Sequence, residues 1–364
     1  MPDLAIFLTS LDGGGAERAM VNLANGFAKQ GLIVDLVLVK QEGPYLSLIS
    51  PEVRIVTLGT RRLLLSVFAL VRYLQQEQPK ALLSSLEDTN IVATWARRLA
   101  KVTTRLVVNV QNTLSQESQN STQTKRRVAP QLVRWFYPWA DAIVPVSQGV
   151  AEDLMHLGLP ADRIKVIYNP VVIPELFEKA SEFPNHPWFE PGQPPVILGV
   201  GRLDKQKDFP MLLQAFALVR QQHLAKLMIL GDGKERSSLE TLVQELGLSE
   251  DVALPGFVSN SIAYMAHSAV FALSSLFEGL PTVIIEAMAV GTPVASTDCI
   301  SGPAEILLNG RYGKLVAVGD VKAMANAIVE TLEATPDKKA LKERANEFSL
   351  EKSLDQYTKL LLYP

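Results

Sequence analysis

Sulfur and imidazole are scarce in this chain: one cysteine, Cys299, and four histidines, at 156, 186, 223 and 267, stand in 364 residues. A lone cysteine forms no internal disulfide. The start Met1-Pro2-Asp3-Leu4 lacks the basic region and long apolar core of a secretion signal, so the expected location is cytoplasmic. The longest nearly apolar run, Leu63 to Val71, is far shorter than the ~20 residues that cross a bilayer, which argues against a spanning helix. Short repeats and low-complexity tracts are missing as well, which sets aside solenoids and tails. Nowhere do two aspartates stand two positions apart.

What the chain does have is apolar mass. Hydrophobic residues make up 48% and charged residues 20%, the balance of a protein that buries a core. Its length exceeds the ~100 to 200 residues of a usual domain, so two domains are expected. The net charge of -3 is unevenly spread: residues 1–175 carry 18 Lys/Arg against 15 Asp/Glu, and the rest 17 against 23. Between Arg61 and Arg134 the excess is 12 basic to 4 acidic residues, a local attraction for phosphate on lipid or on a charged acceptor. A pI near 5.9 argues against nucleic acid as the partner.

Short apolar runs alternate with helical stretches. Leu4–Leu8 reads as a buried parallel strand ending in Asp12-Gly13-Gly14-Gly15, and a helix follows from Ala16 to about Gln30. Further strands are expected at 33–39, 53–58, 81–83, 106–110, 142–146 and 164–167, with helices at 62–76, 89–100 and 147–157. Prolines at 170, 174, 184, 187, 191, 194 and 195 then interrupt the rhythm. It restarts with strands at 196–200, 227–230, 252–254, 269–273 and 293–296 and helices at 209–222, 234–246 and 282–289, before a last helix at 350–362. The pattern is α/β, with two doubly wound parallel sheets in tandem. The predicted division is 1–172, a linker at 173–195, a second domain at 196–346, and a C-terminal helix within 347–364 packed back on the first domain.

In such sheets ligands gather beyond the carboxyl ends of the strands. The loop Gly13-Gly14-Gly15-Ala16-Glu17-Arg18 puts glycines at a helix start, where free N–H groups favour an anion, although a plain tight turn fits equally well. It is not a dinucleotide fingerprint, since Arg18 and Lys40 occupy the places of the third glycine and the acidic residue. The loop Gly199-Val200-Gly201-Arg202-Leu203-Asp204-Lys205-Gln206-Lys207 offers Arg202 and Lys207 as a clamp for two linked phosphates, or as solvated loop charges.

The sequence Glu278-Gly279-Leu280-Pro281-Thr282-Val283-Ile284-Ile285-Glu286 sets one carboxylate before a helix and one inside it, able to accept from hydroxyls at two ends of one ligand. An unpaired Glu286 in so apolar a helix would be costly, which weighs against an idle surface role. Gly231-Asp232-Gly233 and Pro255-Gly256-Phe257-Val258 are turns that allow backbone approach and a ring or main-chain contact to a base.

Together these motifs resemble glycosyltransferase family 4, retaining enzymes of the GT-B fold with two facing Rossmann-like domains. The likeness runs the length of the chain, and its wording is nearest to bacterial branches that build lipid-linked oligosaccharides and surface polysaccharides. It implies Arg202 and Lys207 on the diphosphate of a nucleotide-sugar donor and Glu278 on the transferred sugar, these three being the catalytic set. It also implies Glu286 on the ribose, with Gly14, Gly15, Gly201, Gly233, Phe257, Val258, Gly279, Leu280, Pro281 and Thr282 around the donor.

In this family the departing phosphate itself helps deprotonate the acceptor, so no protein nucleophile is required. No cofactor and no metal are expected: the lack of Asp-x-Asp fits a donor held by cations instead. A UDP-sugar is the favoured donor, and a lipid-linked or growing glycan the acceptor.

Many members carry a histidine after the strand equivalent to 106–110, where this chain reads Gln111-Asn112-Thr113. Glu17, Gln111 and Asn112 are the candidates on the acceptor or sugar side, with loop solvation an equal reading for the last two. Basic residues at Arg61, Arg62 and Arg72 beside Leu63–Val71, and Lys125-Arg126-Arg127 before Trp135-Phe136-Tyr137-Pro138-Trp139, fit peripheral contact with an anionic inner membrane face. They fit burial of the helix against a sheet just as well. Two other functions compete: a non-catalytic sugar-nucleotide-binding protein, opposed by the intact clamp, and a nucleotide-sugar epimerase of the same fold, opposed by the histidine-free loop.

Overall fold

The computed structural model describes residues 1–60, 62–120 and 124–363, with the backbone alone at 119, 120, 124 and 125. Arg61 and the Lys125 side chain, named above in the basic stretches, lie outside the described residues. The chain divides into two compact units, Met1–Pro170 with Phe348–Pro364, and Val171–Glu347.

The first unit contains β1 Leu4–Leu8, α1 Gly15–Lys29, β2 Val34–Leu38, β3 Arg54–Thr57, α2 Ser66–Glu77, β4 Ala81–Ser85, α3 Glu87–Ala100, β5 Arg105–Val110, α4 Leu114–Asn120, α5 Thr124–Phe136, β6 Ala142–Pro145 and α6 Gln148–His156. Its six strands are all parallel, in the order β3-β2-β1-β4-β5-β6. β1, β2 and β4 are buried along their whole length because both faces are covered by helices; β1 reads as an unbroken apolar run, while β2 carries the buried Asp35 and β4 ends in Ser84 and Ser85.

The second unit opens with α7 Pro174–Ala180 and continues with β7 Val196–Val200, α8 Phe209–Arg220, β8 Lys226–Leu230, α9 Arg236–Glu245, β9 Val252–Gly256, α10 Ser261–His267, β10 Val270–Leu273, α11 Thr282–Val290, β11 Val294–Thr297, α12 Pro303–Ile306, β12 Lys314–Val316, α13 Val321–Glu333 and α14 Lys338–Ala345. Its sheet is again six-stranded and parallel, in the order β12-β11-β10-β7-β8-β9.

The closing helix, α15 Leu350–Leu362, packs on α1 in the first unit. Leu354, Tyr357 and Leu361 enter that unit's core. Leu354 also explains Gly26 in α1: a Cβ there would stand 2.7 Å from the Leu354 side chain.

Three expectations change. The stretch 164–167 is not a seventh strand: it bridges β6 only at Ile164–Ile143 and donates Lys165 N–H to Ile143 O and Ile167 N–H to Pro145 O, forming a partial edge. The stretch 173–195 holds α7, packed on α10 and α11, and so belongs to the second unit. Pro174 starts that helix, since proline at the first helical position loses no hydrogen bond. β12 is a three-residue edge strand that the sequence reading omits.

Candidate active site

In each sheet the strand order reverses at one point: between β1 and β4 in the first, between β7 and β10 in the second. The crevice at the carboxyl ends beside such a reversal is the ligand position in doubly wound sheets. In the second unit, the loops after β7 and β10 carry the two most telling motifs.

Lys207 closes a tight 3-10 turn, Lys205–Lys207, just before α8. Its ammonium lies 2.6 Å from Glu278 Oε1, with the two side chains only 16% and 9% exposed. Ser275 Oγ donates to the same carboxylate oxygen at 2.6 Å, and Ser274 Oγ to the Lys207 carbonyl at 2.7 Å. Gln206 fastens the loops further, donating from Nε2 to Phe277 O and accepting from Leu276 N–H at its carbonyl. Ser274, Ser275 and Gln206 escaped the sequence reading, although two serines directly after a strand and shortly before Glu278 were the available signal.

Glycines make room for this junction. A Cβ on Gly201 would come within 3.0 Å of the Lys207 side chain. Gly231, at φ +135°, would place one 1.9 Å from Gly201 O, and Gly233 one 2.3 Å from Leu203 O. The loops after β7 and β8 are thereby pressed backbone to backbone, with Leu203 N–H donating to Asp232 O. Arg202 points outward instead, its side chain 79% exposed and its Nε 3.6 Å from Asp204 Oδ2, a loose pairing that leaves the guanidinium at the surface.

The Glu278-Gly279-Leu280-Pro281 segment, buried in full, leads into α11, which begins at Thr282 without a side-chain cap. It rests against the loop after β11, where Ser301 Oγ donates to Gly279 O at 2.7 Å. A Cβ on Gly302 would stand 2.3 Å from Pro281 Cδ. Glu286 sits half-buried on α11. Cys299 is buried beside the Lys207–Glu278 pair; burial, and then the Glu278 carboxylate, push its thiol up to about 12. At the end of β9, Phe257 is exposed and Val258 half-buried, after Gly256 at φ +91°.

In the first unit, Gly14 and Gly15 are exposed at the start of α1. The half-buried Glu17 carboxylate folds back over Gly14, 2.3 Å from where its Cβ would be, while a Cβ on Gly15 would meet nothing within 4 Å. Gln111 is buried: its amide donates to Asn109 and Asn169 Oδ1, and its Oε1 accepts from Asn169 Nδ2 at 2.7 Å. Asn109 extends this network to Ser85, Val144 O and the Tyr357 hydroxyl. Gln111 thus anchors the end of β5 through its side chain, whereas Asn112 is half-exposed beside it.

Among the described residues, no group of three or more His, Cys, Asp or Glu stands close enough to hold a metal ion. None of the described helices is long and apolar enough to cross a membrane.

Residues 13–173 match the family described as Glycosyltransferase Family 4, and residues 182–348 match Glycosyl transferases group 1. The chain is 32% identical over 361 residues to the N-acetylgalactosamine-N,N'-diacetylbacillosaminyl-diphospho-undecaprenol 4-alpha-N-acetylgalactosaminyltransferase of Campylobacter jejuni, a match covering 95% of this chain and 94% of that one. It is 28% identical over 358 residues to the lipopolysaccharide core biosynthesis glycosyltransferase LpsE of Rhizobium meliloti, with 96% of each covered. Among solved structures it shares its fold with Anabaena HepE in complex with UDP-glucose, at a TM-score of 0.78 and 22% identity over 99% of both chains. The apo form of the lipopolysaccharide outer core galactosyltransferase WaaB is similar at a TM-score of 0.76 and 22% identity over 98% of both.

Proposed function

This chain belongs to the glycosyltransferases of family 4, and on that premise we propose that it moves a sugar from a UDP-sugar to a hydroxyl of a lipid-linked or growing glycan, with retention at the anomeric carbon. The observation that carries the reading is the Lys207–Glu278 contact of 2.6 Å at the point where the second sheet reverses. An ammonium and a carboxylate held together there meet two parts of one donor: phosphate on the cation, sugar hydroxyls on the anion.

Arg202 and Lys207 neutralise the diphosphate as it leaves, Arg202 with a planar fork from the surface and Lys207 as a fixed charge from below. In this reading no divalent metal is used. Glu278 orients the transferred sugar, Glu286 the ribose, and Phe257 with Val258 the base. Gly201, Gly233, Gly279, Leu280, Pro281 and Thr282 shape the floor, Gly14 and Gly15 also serve the donor, and Glu17 and Asn112 serve the acceptor or sugar side.

The acceptor class follows the relatives, whose names specify a diphospho-undecaprenol glycan and a lipopolysaccharide core. An acceptor of this kind supports a reaction at the inner face of a membrane as part of the proposal.

The test is nucleotide release. The purified chain is incubated with a panel of UDP- and other nucleotide sugars, with and without a polyprenyl-diphosphate glycan acceptor and with and without a chelator. UDP release that requires acceptor and survives chelation is expected, with product of the donor's anomeric configuration by NMR. A folded protein that releases no nucleotide from any donor would overturn the proposal.

A further inference from the structure

The helical layer on one side of the first sheet exposes side chains that water does not favour. α2 and α5 flank α3, and the 3-10 turn Leu63–Leu65 runs straight into α2. α2 buries Ser66, Leu70, Tyr73 and Leu74 inward. Outward, Leu64 is 77% and Phe68 74% exposed. Leu64, Phe68 and Arg72 are spaced by four, so they line one side of this helical run, with Leu65 and Arg62 also exposed beside them.

The neighbouring helices continue the surface. Trp95, Arg98 and Leu99 are exposed on α3, and Trp135 with Arg126, Arg127 and Arg134 on α5. Trp95, Phe136 and Trp139 form a ring cluster with centroids 5.1 to 5.4 Å apart, and the Arg98 guanidinium lies 4.6 Å over Trp139. Exposed apolar side chains are unremarkable singly, but here they recur across three adjacent helices amid cations. The span from Arg61 to Arg134 carries 12 basic residues to 4 acidic, in a chain of net charge -3.

We propose that the outer surface of α2, α3 and α5 docks on an anionic lipid bilayer, with Leu64, Leu65 and Phe68 inserted and Arg62, Arg72 and Arg98 at the headgroups. The charge is complementary to such a surface. The protruding apolar side chains suit a fluid acyl layer, which accepts them without a shaped groove. Placement adds a purpose that rests on the glycosyltransferase reading above. Leu64, Leu65 and Phe68 follow β3, and the Gly14–Gly15 turn follows β1, so both lie at the carboxyl end of the first sheet. A bilayer at this edge would present the head of a membrane-anchored acceptor to that end.

The experiment is co-sedimentation of the full chain with vesicles of phosphatidylcholine alone or with about a third phosphatidylglycerol. Binding to the anionic vesicles only is expected, weakening as salt rises from 0.1 to 0.5 M on the scale of Debye screening, ~10 Å falling towards ~4 Å. The Leu64→Ser/Phe68→Ser pair should bind at least ~10-fold more weakly, having lost two inserted apolar groups. Arg62→Glu/Arg72→Glu should abolish the preference for anionic lipid. Circular dichroism shows each variant folded, and turnover with a water-soluble acceptor analogue stays at the unsubstituted level.

Equal binding by the unsubstituted chain and the Leu64/Phe68 variant would overturn the assignment, as would an unsubstituted chain left in the supernatant. Self-association abolished by that variant would give the surface to a second copy instead. Sedimentation reads no catalysis, so a chain that binds vesicles but releases no nucleotide fails only the proposed function.

Discussion

Lys207 donates its ammonium to Glu278 Oε1 over 2.6 Å, although 71 residues separate the two in sequence. The contact exists because β10 pairs with β7, which brings the two carboxyl-end loops side by side. Ser275 secures the carboxylate and Ser274 the Lys207 backbone, so the pair is held from both sides. In the proposed function, the cation of this pair meets the phosphate and the anion the polyol part of one donor.

Removing either partner should therefore damage both chemistry and stability. Lys207→Ala and Glu278→Ala should each lower turnover at least ~100-fold, the scale on which a lost transition-state charge partner acts. Each should also lower stability by ~3 kcal/mol, because the remaining charge stays largely buried without its counter-charge. Glu278→Gln keeps the shape and one acceptor oxygen, so it should recover stability more than turnover. Rates from nucleotide release, set beside thermal melts, separate the two effects. Near-normal turnover in both alanine variants would remove these residues from the site.

Cys299 reports on how well the loops around the same pair exclude solvent. With its thiol pushed up to about 12, the thiolate that alkylating reagents need is nearly missing at pH 8. The native chain should react with iodoacetamide at least ~10-fold more slowly than the denatured chain, as followed by mass spectrometry. Rapid native labelling would mean that the loops after β10 and β11 open readily.

What the sequence disclosed and what it hid divide along physical lines. β1, β2 and β4 were legible because burial on both faces makes them mostly apolar, with Asp35 in β2 and Ser84 and Ser85 at the end of β4 as the exceptions. β12 was not, since its three residues sit at an edge and are exposed or half-buried. Proline density between 170 and 195 concealed α7, where Pro174 opens a helix rather than breaking one. In the site, Lys207 and Glu278 were visible as residues, but their contact depends on strand order. Gln111 looked like a free polar loop residue because Asn169 and Tyr357, which complete its network, come from 58 and 246 positions further on.

The glycines offer a contrast that separates folding from function. Gly231 should not tolerate alanine: at φ +135° the methyl would be strained and 1.9 Å from Gly201 O. A melt lowered by several kcal/mol, with donor turnover lost, is expected there. Gly15 opens α1 with space around its Cα, so alanine should raise stability by ~0.5 to 1 kcal/mol through helix propensity. If the Gly14–Gly15 turn approaches a ligand, Gly15→Ala should nonetheless lower kcat/KM about 10-fold. A more stable variant of unchanged kcat/KM would show that this turn only connects β1 to α1.

Asp251 gives the stability of the second unit a pH dependence of definite sign. Burial would raise its carboxyl pKa, but hydrogen bonds from Lys226 and Arg220, and then their charges, outweigh burial and hold it below the usual carboxylate range. Both contacts are short: Lys226 Nζ stands 2.9 Å from Oδ1 and Arg220 Nε 2.8 Å from Oδ2. A carboxylate depressed in the folded state binds its proton more readily when unfolded. Its stabilisation is therefore complete above the ordinary value of about 4 and is lost as pH falls through the lower folded value. Asp251→Asn should melt below the unsubstituted chain at pH 7, and the gap should close as the pH is brought from 5 towards 3. A gap that stays constant, or widens, over that range would mean that the Lys226 and Arg220 contacts do not favour the charged form of Asp251 in solution.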